Sequence, residues 1–134
     1  MRTKLAACAG AAAFMLATAT AIAHHSFAAE FDANKPITLK GVVTKIEWAN
    51  PHTYFYVDVA DAGGRVANWG IEIGSPNALT RLGWTRNTLK VGDSVTVEGS
   101  QAKDGALIGN GQVVVLAATG KRLFAGSSRD QTPH

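Results

Sequence analysis

The sequence predicts an all-β domain with one short helix, built as an OB-like five-stranded Greek-key barrel with the helix between strands three and four. Three observations carry that expectation. Apolar residues recur at every second position in five separate runs, the period of a half-buried strand. One capped helical segment falls between the third and fourth runs. The first run is long and changes phase beside a glycine, as a strand does when it bends to serve two sides of a small barrel. An open sandwich of similar strands is the competing arrangement.

The first strand spans residues 37–48. Ile37 and Leu39 are odd, whereas Val42, Ile46 and Trp48 are even, so the phase slips near Lys40-Gly41 and predicts a β-bulge at Gly41. Asn50-Pro51-His52 breaks the pattern. The second strand, from Thr53 to Ala60, sets Phe55, Val57 and Val59 on one face and Tyr54, Tyr56 and Asp58 on the other. Asp61-Ala62-Gly63-Gly64 is a hairpin turn. Val66 to Ile73 is the third strand, with Trp69, Ile71 and Ile73 in phase. Ser75 fits a helix N-cap, Pro76 the first helical position and Gly83 the left-handed residue after the end. Leu79 and Leu82 are expected to face the core, with Trp84 just beyond. A turn at Leu89–Asp93 leads into the fourth strand, Ser94 to Gly99. Lys103-Asp104-Gly105 turns the chain towards the last main strand, Gln112 to Ala117, and Leu123-Phe124 adds a short closing pair.

Residues 1–23 read as a secretory signal peptide. Arg2 and Lys4 precede an Ala-rich apolar run peaking at Phe14-Met15-Leu16, and Ala21-Ile22-Ala23 is an A-x-A cleavage site. The run is too short and too weakly apolar for a permanent span, so no stable membrane anchor is expected after cleavage. Leu5-Ala6-Ala7-Cys8 resembles a lipobox, but the apolar core follows Cys8 instead of preceding it. Residues 24–36 form an N-terminal arm in which Phe27 and Phe31 share a helical face, 37–125 the barrel, and 126–134 a flexible tail. The expected location is periplasmic or secreted.

Removing residues 1–23 takes away two of the 13 basic residues and none of the 10 acidic ones. The remaining 111 residues carry a formal charge of +1 and no cysteine. That charge supplies no field for nucleic-acid binding, and thiol chemistry is excluded. The chain has no G-x-S-x-G, no phosphate-binding loop and no spacing that pairs its acidic candidates Glu30, Asp32, Glu47, Asp58 and Glu72. A binding module is therefore expected, with no catalytic residues.

HHSFAAEFDANKP, EWANPH, SPNALTRLGW, LKVGDSVTVEG and AKDG follow one another from His24 onward. In that order they resemble a family of small exported bacterial proteins catalogued as a domain of unknown function. The resemblance implies an exported small β-barrel and no established activity.

The chemistry must come from the residues. Cleavage after Ala23 makes His24 the first residue, so an α-amino group and an imidazole sit on one residue beside His25. Copper(II) favours nitrogen donors in a tetragonal plane. His24 offers an amino nitrogen and ring Nδ1 in one chelate, and His52, in the corner between strands one and two, offers a third nitrogen. His25 is an alternative or auxiliary donor. Zinc would need help from Asp or Glu, since the processed chain has no cysteine. Two other readings stand beside copper. One is a scaffold whose arm docks on the barrel or on a protein partner. The other is a ligand groove lined by Tyr54 and Tyr56.

Overall fold

Period-two alternation produces a mostly antiparallel six-stranded sheet with only two short helices, and the computed structural model describes residues 27–126 of it. The order is α1 (Phe27–Glu30), β1 (Phe31–Glu47), β2 (Tyr54–Ala60), β3 (Val66–Glu72), α2 (Pro76–Arg81), β4 (Ser94–Ala102), β5 (Ile108–Leu116) and β6 (Arg122–Phe124). The expectations for residues 1–26 and 127–134, the leader, His24, His25 and nearly all of the tail, lie outside the described residues. Among the described residues, no helix is long and apolar enough to cross a membrane.

β1 is shared between two neighbours. Its first part pairs with β4, from Phe31 opposite Ala102 to Val42 opposite Ser94. Its second part pairs with β2, from Gly41 opposite Val59 to Glu47 opposite Tyr54. β2 pairs with β3 along its whole length, and β5 pairs with both β4 and β6. β3 also meets β5 in parallel, from Gly70 opposite Ile108 to Glu72 opposite Asn110. That contact brings the end of β3 to the start of β5.

The strand begins earlier than its apolar pattern suggests. Phe31 is buried and pairs with Ala102, six residues ahead of Ile37, and its ring stacks on Phe27 with centroids 5.7 Å apart. The bulge is also displaced. Register against β2 shifts between Val43 and Lys45, leaving Thr44 as the extra residue. Val43 continues the inward odd phase of Ile37 and Leu39, and Val42, expected in the inward phase with Ile46 and Trp48, faces out at 43% exposure. Gly41 serves close approach instead. A Cβ there would stand 2.3 Å from the Asp58 carbonyl oxygen, where β1 has a strand on either side.

The core is built from alternate residues: Val43, Phe55, Val57, Ile71, Ile73, Val95, Val97 and Val114. Trp48 and Trp69 pack partly buried against it. Helix α2 caps it as its sequence predicts. The Ser75 hydroxyl accepts from the Ala78 amide at 3.2 Å, Leu79 is buried, and Gly83 has φ +93°. Leu82 departs from expectation. It is the C-cap residue and 37% exposed, and Trp84 fills the core position, donating from Nε1 to the Phe124 carbonyl at 2.8 Å.

A second tight approach occurs where β5 bulges at Gln112 against β4. A Cβ on Gly99 would lie 1.8 Å from the Asn110 carbonyl oxygen, an atom of fixed backbone. Gly99→Ala is expected to cost about 1–3 kcal/mol in urea unfolding, because overpacking there must move a strand. Val66→Thr, at an edge position 64% exposed, should stay within about 0.5 kcal/mol of wild type.

Candidate functional site

Strand alternation turns Glu72 away from the core face that holds Ile71 and Ile73. Glu72 is nevertheless only 6% exposed, at the residues where β3 meets β5. Burying a carboxylate is costly unless its lone pairs find donors. Both oxygens are engaged. The Tyr54 hydroxyl, on the residue opposite in β2, donates to Oε2. His52 places Nδ1 3.1 Å from Oε1.

His52 reaches that position from the corner between β1 and β2. The Asn50–Pro51 peptide is cis. Just beyond it, the Thr53 amide donates to the Gly74 carbonyl at 3.0 Å and the Ile73 amide donates to Thr53 at 2.9 Å. These bonds extend the β2–β3 ladder past its last paired residues and fix the backbone beside His52. The imidazole is 35% exposed, half-sunk against the sheet end. A carboxylate accepts, so in a neutral ring a proton on Nδ1 would face Oε1 and leave the lone pair on Nε2. Among the described residues Nε2 has no hydrogen-bond partner.

Glu72 also borders a cleft of about 340 Å³. One wall is the arm, Ala29 to Phe31. Another is Tyr54 with Glu72, and the third is the β4–β5 hairpin with Ala102, Lys103, Asp104 and Ile108. The Lys103 amide donates to the Glu30 carbonyl at 2.9 Å and ties the arm to the hairpin. The Lys35 ammonium donates to the Lys103 carbonyl at 3.3 Å. Burial, the bond to Glu72 and the nearby charges of Glu72 and Glu30 hold the Tyr54 phenol well above its ordinary value.

The structure thus brings His52 and Tyr54 together through one carboxylate. Tyr56 is on the same strand face but outside the cleft. Its ring packs over Gly70, its hydroxyl lies 3.5 Å from Glu47 Oε2, and the Lys45 ammonium sits 5.4 Å from the ring centroid. His24 and His25 precede the described residues. Glu72 was one of five acidic candidates with nothing in the sequence to pair it. The only signal available was that it shares the phase of Tyr54 across a predicted hairpin. The hairpin wall of the cleft was visible only as a Lys-Asp-Gly turn. No group of three or more His, Cys, Asp or Glu side chains converges for a metal among the described residues.

Taken together, this is a small antiparallel β-domain with a histidine–carboxylate–tyrosine chain beside a partly acidic cleft. The chain belongs to a family of unknown function, DUF6152, whose model matches residues 12–112. The match covers everything from the arm to the first half of β5, including the three linked side chains. No curated protein matches the sequence significantly.

The phenol supplies a pH test. A raised value means that the folded protein holds this proton more tightly than the unfolded chain, whose tyrosines ionise near about 10. The stabilisation is therefore complete below about pH 10 and is lost as pH rises from there towards the folded value. In metal-free protein, Tyr54→Phe should lose about 1–3 kcal/mol at neutral pH by stranding Glu72 Oε2. Its unfolding midpoint should then fall less steeply than that of wild type above pH 10. Parallel slopes would contradict this.

Proposed function

We propose that the protein is an exported periplasmic or secreted module with an OB-like barrel, and that it binds copper through the mature N-terminal His24 together with His52. The circuit of pairings β1–β2–β3–β5–β4 and back to β1, with α2 between β3 and β4, supports the five-stranded Greek-key reading. β6 is an added edge strand.

The observation that carries the copper reading is the 3.1 Å contact between His52 Nδ1 and Glu72 Oε1. Metal-binding histidines usually give their other ring proton to a carboxylate, which fixes the tautomer and strengthens the free nitrogen as a donor. Here that carboxylate is buried and is itself held by Tyr54. A histidine serving only to shape the corner needs no such support. Amine and imidazole from His24, with His25 alternative or auxiliary, supply the remaining nitrogens. The module handles or senses the metal and is not an enzyme. A second reading, a small-ligand or partner-binding module, is favoured by the cleft beside Tyr54, with Tyr56 outside it.

Copper(II) added to protein processed at His24 should give a tetragonal, nitrogen-rich paramagnetic resonance spectrum. One extra residue ahead of His24 should abolish that spectrum while leaving the fold intact. His52→Ala should lose one nitrogen coupling. Glu72→Gln should weaken binding by about 10–100-fold. Equal binding by the processed and extended forms would overturn the chelate. Full affinity in His52→Ala would return this residue to a purely structural part.

A further inference from the structure

β3 is paired on both sides over only part of its length. Gly70, Ile71 and Glu72 have β5 beside them, whereas Val66 to Trp69 have β2 alone. The ladder bonds fix which way each backbone group points. The Arg65 carbonyl accepts from the Asp61 amide and the Ile73 amide donates to Thr53, so the odd residues of β3 face β2. The even residues face the other way, and the Gly70 amide accordingly donates to the Leu107 carbonyl at 3.0 Å. Val66 and Asn68 therefore turn an N–H and a C=O each towards an edge where, among the described residues, no group meets them. Val66 is 64% exposed, and Leu107, at the end of the gap, is 46% exposed. The usual protections of an open edge are missing, since Val66 to Trp69 contain no proline, no charged residue and no bulge.

We propose that this edge is an interface between two copies of the chain, in which β3 pairs antiparallel with β3 of a second copy about a twofold axis at Ala67. The pattern is self-complementary. With the axis at Ala67, Val66 of one copy stands opposite Asn68 of the other. Each such pair exchanges both N–H and C=O groups, so every open donor meets an open acceptor. On the inner side the two Ala67 residues face each other, and their methyl groups permit the close approach that such a pair requires. One step further, Arg65 of each copy comes opposite Trp69 of the other. The Arg65 guanidinium has no partner among the described residues, and Trp69 is only partly buried, so a cation meets an open aromatic flank. The length of the edge fits as well. The next pair sets Gly64 of one copy opposite Gly70 of the other, whose amide Leu107 already holds, and there the second chain leaves through its Asp61–Gly64 turn. A strand of any sequence can satisfy the backbone, whereas the small residue on the axis and the cation opposite Trp69 come with a second copy. The pairing is short, so the association is weak and reversible. None of His52, Tyr54 or Glu72 takes part, and the outcome is independent of copper binding.

The test uses the full chain with Cys8→Ser. Sedimentation velocity should show a dimer that grows with protein concentration. Ala67→Lys, which sets two ammonium groups on the axis, should weaken it by more than about tenfold while amide spectra show the fold retained. Ala67→Ser should keep the dimer. A second arm is free of any demand on the lysine variant. Ala67→Cys should form a symmetric disulfide-linked dimer under mild oxidation, because the Cα atoms of such a facing pair lie about 4.5 Å apart, within disulfide reach. Val91→Cys, on the turn that bonds to Val43 and 67% exposed, should stay unlinked under the same conditions. Linking of Val91→Cys as fast as Ala67→Cys, or a dimer that folded Ala67→Lys leaves unchanged, would overturn the pairing. A chain that stays monomeric at millimolar concentration would also overturn it and leave the edge to a strand from another protein.

Discussion

Glu72 is the constraint around which the candidate site is arranged. A carboxylate almost excluded from water must be matched by donors, and here both of its oxygens are. Each donor comes from a different part of the sheet. Tyr54 comes from the paired strand and His52 from the corner that precedes it. Glu72 lies where β3 meets β5 in parallel. The fold and the site depend on each other: the strands bring Glu72, Tyr54 and His52 together, and burial makes their contacts with the carboxylate necessary.

The same arrangement gives His52 a direction. An imidazole in an exposed corner would sample both tautomers and several rotamers. With Nδ1 3.1 Å from a buried carboxylate oxygen, the ring has a preferred orientation, and Nε2 has no hydrogen-bond partner among the described residues. The cleft on the other side of Glu72 is walled by the segment that joins the arm to the domain. One carboxylate thus lies between the corner histidine and the chain that leads back to His24.

Much of the fold was legible in the sequence because period-two patterning and capping residues act locally. The strands, the Asp61–Gly64 turn and the Ser75-Pro76 helix start all follow from neighbours in the chain. The errors share a cause. Gly41 looked like the bulge because a glycine stood at the phase change, but what it answers is the approach of the Asp58 backbone on β2. Val42 looked inward because it is apolar, although Thr44 two positions on absorbs the register shift. Leu82 looked buried because i,i+3 spacing assumes that the helix continues, whereas the chain leaves the helix at that residue. Strand pairing decided the first two cases and the end of the helix the third, and neither is written in local spacing. The site divides in the same way. His52 and Tyr54 stood out as residue types, whereas their partner became recognisable only when β3 was laid beside β2 and β5.

The copper reading turns on whether His52 holds its proton on Nδ1 and leaves Nε2 bare. The most direct measurement is the side-chain nitrogen spectrum of metal-free protein labelled at histidine, recorded where the ring is neutral. One His52 tautomer, protonated at Nδ1, is expected, giving way to a mixture in Glu72→Gln. A proton found on Nε2, or a mixture already present in the wild-type domain, would contradict it.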